Sequence, residues 1–472
     1  MKYISTRGQA PALAFDDVLL TGLARDGGLY VPENWPRFSA DDIAALKDLS
    51  YAETAFQVMQ PFVGGVIANA ELRAIIDDAY GAFDSAEVAP LKPIGNDEWL
   101  LELFHGPTLA FKDLALQFLG RIFDYVLRAR GERVTIVGAT SGDTGSAAIT
   151  ACRDRDAIDI FMLYPDGRVS NFQRRQMTTV DAPNVHAIAI AGTFDDCQDI
   201  VKGMFNDQPF RDRFRLSAVN SINWARIMAQ IVYYFLAAVR LGAPETAVSF
   251  AVPTGNFGNV FAGYAAHCMG LPVQRLIVGS NRNDILTRFF HSGAMEIDTV
   301  HPTISPSMDI QISSNFERLL FYLYDRDGAA VKDLLEGFRL EGRFAVEPTR
   351  LAKVLELFDG ASFDDDQTHT LIGDLFVQCG EIVDPHTAVG IAAERTLRGV
   401  DGTPVVALAT AHPAKFPDAV KTATGTMPTL PASLALALER PERVTSLDNN
   451  LAAVQAHIAA TVEVAADECA VR

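Results

Sequence analysis

The chain has no surplus of positive charge. Forty Lys and Arg stand against 59 Asp and Glu, a formal net charge of −19. Nucleic acid and anionic membrane surfaces both need a basic face, so this balance argues against either partner. A small anionic ligand is still allowed, because it needs only a few local donors. Long apolar runs are missing as well. The longest, residues 231–239, is too short to span a bilayer. The opening Met1-Lys2-Tyr3-Ile4-Ser5 holds no apolar signal core. Cysteine is scarce. Cys152, Cys197, Cys268, Cys379 and Cys469 are scattered, odd in number and without metal-ligand spacing. That pattern predicts reduced thiols, no metal site and a cytoplasmic setting.

What is present is the composition of a folded protein, 49% apolar and 21% charged. At 472 residues, two or three domains are expected. Residues 1–92 read as a separate N-terminal unit, with a short strand and helix at 13–22, a turn at 26–32 and helices near 41–49 and 52–59. From residue 93 the pattern becomes strand, glycine loop, helix. Strands are predicted at 134–137, 158–163, 185–190, 247–252, 275–278 and 405–409, and helices at 195–205 and 260–269. Such alternation implies an α/β class, with parallel sheets flanked by helices. The expected division is 1–92, a catalytic region at 93–430 in two lobes (the smaller about 130–220), and a helical tail at 431–472.

One stretch carries the sharpest chemistry: His105-Gly106-Pro107-Thr108-Leu109-Ala110-Phe111-Lys112-Asp113. Gly and Pro make its first half a loop. A helix follows, its apolar stripe running through Ala115, Leu119, Ile122 and Val126. Lys112 lies three residues before Ala115, so it is expected at the buried head of that stripe. A helix N-terminus disfavours a cation there, and burial favours the neutral amine. A neutral amine is a nucleophile suited to a Schiff base. The plain alternative is a lysine that snorkels past the helix end.

Two glycine loops follow predicted strands. Gly255-Asn256-Phe257-Gly258-Asn259 opens a helix, where successive N–H groups can form an anion nest. It is neither a P-loop nor a dinucleotide fingerprint, and it could be only a tight turn. Ser141-Gly142-Asp143-Thr144-Gly145 could hold a carboxylate or simply cap a helix. Thr410, before Ala411-His412-Pro413-Ala414-Lys415-Phe416, falls at a strand's carboxyl end, where ligands gather in open α/β sheets. Two polar stretches precede apolar helices, Asn220-Ser221-Ile222-Asn223-Trp224-Ala225-Arg226 and Ser313-Ser314-Asn315-Phe316-Glu317-Arg318. Each could be an N-cap or a ligand contact.

Together these motifs resemble threonine synthases of the bacterial and fungal type, which use pyridoxal 5'-phosphate (PLP) on fold type II. The resemblance covers nearly the whole chain, in the family's motif order. It implies a two-lobed fold with an added N-terminal domain. Lys112 would carry PLP as a Schiff base, with Phe111 beside it. Gly255, Asn256, Phe257, Gly258 and Asn259 would hold the cofactor phosphate, and Thr410 the pyridine nitrogen. Ser141, Gly142, Asp143 and Thr144 would take the substrate carboxylate. Asn223, Arg226, Asn315, Arg318 and Lys415 are expected to border the substrate, with Lys415 and at least one arginine gripping its phosphate. The implied reaction turns O-phospho-L-homoserine and water into L-threonine and phosphate. Another fold type II lyase or dehydratase, or a non-catalytic PLP-binding relative, are the alternatives. Oligomeric state is left open, a monomer being compatible.

Overall fold

The computed structural model describes every residue except Ser141, Val219, Asn220, Val400, Asp401, Val471 and Arg472; it also omits the side chains of Ser433 and of residues 463–470. It divides into two compact units.

The first unit comprises Met1–Ala115 and Ser221–Thr429. Its sheet has six strands in the order Phe358–Ser362, Val273–Ser280, Val248–Pro253, Val405–Ala409, Glu98–Glu102 and Leu91–Gly95. The first five run parallel, and Leu91–Gly95 folds back antiparallel on Glu98–Glu102. Val248–Pro253 and Val405–Ala409 are buried along their whole length, as central parallel strands covered on both faces must be. Ala251, Ile277 and Ala407 of the sheet pack with Ala388 and Ile391 of the helix Pro385–Leu397.

The helix Trp224–Arg240 is buried from Trp224 to Val239. A helix apolar all round belongs inside a protein, and here the N-terminal segment covers it. Rings of Tyr3, Trp35 and Phe62 pack on Trp224 at centroid distances of 5.9, 5.9 and 5.7 Å. Residues 1–92, expected as a separate unit, therefore share a core with 221–429. Sequence pattern missed this because the helix Tyr51–Val63 is amphipathic and looks self-sufficient in isolation. The helix Asn69–Tyr80 also went unpredicted.

The second unit comprises Leu116–Asn220 and Leu430–Arg472. Its five strands, all parallel, run in the order Thr445–Asp448, Val185–Ala191, Ile158–Pro165, Val134–Ala139 and Leu216–Ser217. The expected helical tail consists of the helices Ala432–Glu439 and Leu451–Ala470 with the edge strand Thr445–Asp448 between them. Val454 and Ile458 of that helix enter a core with Val137, Phe161, Ile188 and Ile190. Among the described residues no helix is long and apolar enough to cross a membrane.

Candidate active site

Lys112 opens the helix Lys112–Arg130. Ala115, Leu119, Ile122 and Val126 are buried as the stripe predicted, but Lys112 itself is half-exposed. The expectation of a buried amine is corrected here: the helix head is open, and Nζ lies 3.5 Å from Ser307 Oγ. The loop before it is tightly built. Asp113 is fully buried and accepts from Thr108 N and Thr108 Oγ1, both at 2.7 Å. A Cβ at Gly106 would come within 2.4 Å of Asp113 Cβ, so that position needs glycine. Leu109 takes a left-handed conformation, φ 59°. Burial pushes the Asp113 carboxyl up to about 6, against the pull of its hydrogen bonds with Thr108 and of the Lys415 ammonium.

The same loop is stitched to the strand end that holds Thr410. Phe111 N donates to Thr410 O (2.8 Å), His412 N donates to Leu109 O (3.0 Å), and Ala110 bridges Ala411. Lys415, 4% exposed, donates from Nζ to Thr108 O at 2.7 Å. Lysine loop and strand end are therefore one rigid piece of backbone.

The loop at 255–259 leaves the buried strand Val248–Pro253. Phe257 sits in the left-handed region, φ 61° and ψ 0°, and the helix Gly258–Met269 starts after it. Its ring is anchored between Phe316 (5.1 Å) and Phe358 (5.8 Å), which holds the strained turn in place. Among the described residues, the main-chain N–H groups of 255–260 have no acceptor. Six unpaired main-chain donors around a helix N-terminus can form an anion nest. A Cβ on Gly255 would sit 2.9 Å from Ser307 O, and one on Gly258 3.3 Å from Asn315 Nδ2. Asn259 adds a directed amide. Its Oδ1 accepts from Tyr233 Oη (2.6 Å) and Tyr234 Oη (3.0 Å). Its Nδ2 has no partner among the described residues, though the side chain is over nine-tenths buried. These free donors fit a phosphate group.

The polar stretches serve this loop. Ser313 Oγ donates to Gly255 O (2.7 Å), Ser314 Oγ to Asn256 Oδ1 (3.0 Å), and Asn315 Nδ2 to Asn256 O (2.9 Å). Arg318 is fully buried. Its guanidinium donates to Tyr30 O, to Ile222 O and to Asn315 Oδ1. Burial pushes it down to about 9. Asn315 and Arg318 were expected at the substrate; here their donors end on protein oxygens behind the glycine loop, the carbonyls of Asn256, Tyr30 and Ile222 and the Asn315 side-chain oxygen. Lys415, also expected at the substrate, donates to the lysine loop. Asn223 caps Trp224–Arg240 through Ala225 N and donates to Leu19 O. Arg226 is 5% exposed, and its Nη1 has no hydrogen-bond partner among the described residues.

Four residues that sequence reasoning did not single out complete the picture. Thr410 N donates to Thr387 Oγ1 (3.2 Å), and Thr387 Oγ1 donates to Asp384 Oδ2. Asp384 Oδ1 receives His386 Nδ1 at 2.8 Å. His386 Nε2 accepts from Ser307 N at 3.2 Å. Asp384-Pro385 reads in sequence only as a helix start, and Ser307 belongs to no motif.

In the second unit, the loop after Val134–Ala139 is fixed by Thr140 Oγ1, which accepts from Gly142 N (3.0 Å) and Gly145 N (2.9 Å). Asp143 Oδ1 accepts from Gln173 Nε2 (2.9 Å), and Thr144 is half-exposed. Ser141 lies outside the described residues.

Comparison with known proteins bears on these motifs. The family model "Threonine synthase N terminus" matches residues 2–80, "Pyridoxal-phosphate dependent enzyme" residues 87–336, and "Threonine synthase, C-terminal" residues 387–458. Threonine synthase of Pseudomonas aeruginosa is 59% identical over 97% of this chain and 98% of its own. The chain belongs to the threonine synthase family. A PLP-bound threonine synthase from Brucella melitensis matches with a TM-score of 0.96 at 54% identity, covering 98% of this chain and 99% of that one. The yeast threonine synthase matches at 0.94 and 38% identity over the same shares. Like its family, the chain is a PLP-dependent lyase, and the donors at 255–260 agree with a cofactor that carries a phosphate.

Proposed function

We propose that this chain converts O-phospho-L-homoserine and water into L-threonine and phosphate. The observation that carries the reading is the half-exposed Lys112, set on backbone stitched to Thr410 and 3.5 Å from a serine that abuts the free-donor loop at 255–260. Lys112 would hold PLP through its amine. Main-chain N–H groups of Gly255, Asn256, Phe257, Gly258 and Asn259, with Asn259 Nδ2, would hold its phosphate. Thr410 would meet the ring nitrogen, with Phe111 flanking. When bound, PLP supplies an electron sink for charge developing on the substrate carbons.

The protein's own part is proton transfer and orientation. As a free amine, Lys112 would take the proton from the substrate Cα, pass it on before taking one from Cβ, and return protons to Cγ and Cα, while phosphate leaves from Cγ and water adds at Cβ. Thr410 offers a hydroxyl and no carboxylate, so it does not stabilise a full positive charge on the ring nitrogen; that limits side reactions. Gly142, Asp143 and Thr144, with Ser141, are read as the carboxylate loop, its helix-start N–H groups acting as donors. The Arg318 guanidinium and the Lys415 ammonium donate to protein oxygens, which favours other groups for the substrate phosphate.

The deciding experiment supplies purified protein and PLP with O-phospho-L-homoserine and follows phosphate and L-threonine together. Equal amounts of both are expected. Release of ammonia and a 2-oxo acid from threonine, without phosphate turnover, would replace the reading with a dehydratase.

A further inference from the structure

Ser307 sits in the turn Pro306–Met308, far from every motif in sequence. Its three polar groups are each directed. The main-chain N–H donates to His386 Nε2 at 3.2 Å. Its carbonyl oxygen lies against Gly255, where even a methyl group would approach to 2.9 Å. Its hydroxyl faces Lys112 Nζ at 3.5 Å. That is the outer limit of a hydrogen bond, and contacts of this length in active sites commonly tighten with substrate in place. The serine is exposed, so neither packing nor folding demands a hydroxyl there.

The turn is held at both ends. Asn281 Nδ2 donates to Ser305 Oγ (2.9 Å), Thr303 Oγ1 (2.8 Å) and Asp309 Oδ1 (2.8 Å). At the tip, His386 is 4% exposed, with Phe416 edge-on at 4.9 Å. Its ring has one defined tautomer. Nδ1 must carry the proton, because it faces the Asp384 carboxylate, and Nε2 must be bare to accept from Ser307 N. His386 is therefore neutral, and its lone pair is committed to a backbone amide. It is not a general base. Asp384 is itself wholly buried and also receives Thr387, the partner of Thr410 N. One carboxylate thus fixes both the turn beside Lys112 and the strand end at Thr410.

We propose that Ser307 is a further active-site residue, a hydroxyl that receives the Lys112 amine when that amine is free, and that the Asp384–His386 pair positions it. The inference rests on Lys112 being the cofactor lysine. Receiving the amine on a fixed acceptor aims its lone pair and keeps it near the substrate between proton transfers. No bond is made or broken in this step; the serine oxygen accepts a hydrogen bond that an N–H donates.

The test compares Ser307→Ala, His386→Leu and the double variant, each loaded with PLP. Turnover of O-phospho-L-homoserine is measured, together with the pH profile of kcat and the site labelled by borohydride. Ser307→Ala is expected to lower kcat about tenfold, the effect of losing one hydrogen bond to an amine. KM should change little, and the limb of the pH profile belonging to the amine should shift. His386→Leu should reproduce the loss, and the double variant should be no worse than about twofold below either single one, because the histidine acts through the serine. If kcat of Ser307→Ala stays within twofold of the parent while borohydride labels Lys112, the inference falls. It falls too if the two losses simply multiply, which is the mark of independent structural damage. Label on a lysine other than Lys112 in the parent protein overturns the underlying reading, and the inference with it.

Discussion

Lys415 and the two tyrosines of the helix Trp224–Arg240 show how much of this site is braced by side chains whose hydrogen bonds end on the protein. Lys415 braces Thr108 and faces the buried Asp113. Lys415→Ala would leave a buried carbonyl and carboxylate without their cation, so the damage should fall on the lysine loop. PLP content and kcat are expected to drop, kcat by about tenfold. A raised KM with unchanged kcat would instead return Lys415 to the substrate phosphate. Tyr233 and Tyr234 are completely buried, and burial pushes both phenols well above their ordinary range, so they remain donors. They hold Asn259 by its oxygen and leave its N–H groups for an anion. Changing both tyrosines to Phe should weaken PLP binding by about tenfold, roughly the worth of one charge-assisted hydrogen bond. Pyridoxal, which lacks the phosphate, should bind as before. Equal weakening of both ligands would show that the tyrosines only support the fold.

At the scale of elements, the helix Pro385–Leu397 meets the strand Glu98–Glu102 through two carboxylates. Burial pushes Glu394 up to about 8, and the neighbouring Glu98 charge adds to the shift. Against its own burial, Glu98 is held low by the hydrogen bonds from Arg395. In the unfolded chain Glu394 would titrate near 4.3, at about the ordinary glutamate value. Between about pH 4 and about pH 8 the folded protein therefore binds the extra proton. Stability must fall as pH rises through that window. Asp113, raised to about 6, adds a slope of the same sign up to its own titration. Glu394→Gln removes the larger contribution. Its Tm relative to the parent should rise steadily from pH 5 to pH 8. A flat difference would show that the two carboxylates do not share a proton.

For the whole molecule, the C-terminal segment matters more than its sequence suggests. Ile458 is fully buried against the sheet of the second unit. Ile458→Ala should cost about 2–5 kcal/mol, the range for such truncations in a packed core. An unchanged melting profile would mean that the segment contributes nothing to the core of the second unit. Unfolding should be followed with probes in each unit, because two compact units need not melt as one.

Sequence alone determined the local elements and the cofactor chemistry. Val405–Ala409 is a strand because five apolar residues in a row suit a covered parallel sheet. Gly255, Phe257 and Gly258 make an anion nest because glycine spacing and a helix start are properties of adjacent residues. The place of Lys112 at a helix start was legible because its loop and helix stripe are contiguous. Tertiary structure alone decided which polar residues turn their donors onto distant backbone. Arg318, Asn315 and Lys415 have the same donors in either role; only burial and the positions of distant carbonyls at Tyr30, Asn256 and Thr108 separate the two. Ser307, His386, Asp384 and Thr387 meet across tens of residues, and no local pattern records such a meeting. The C-terminal strand likewise exists because Val185–Ala191 offers an open edge. A segment of modest propensity becomes a strand when such an edge completes its hydrogen bonds.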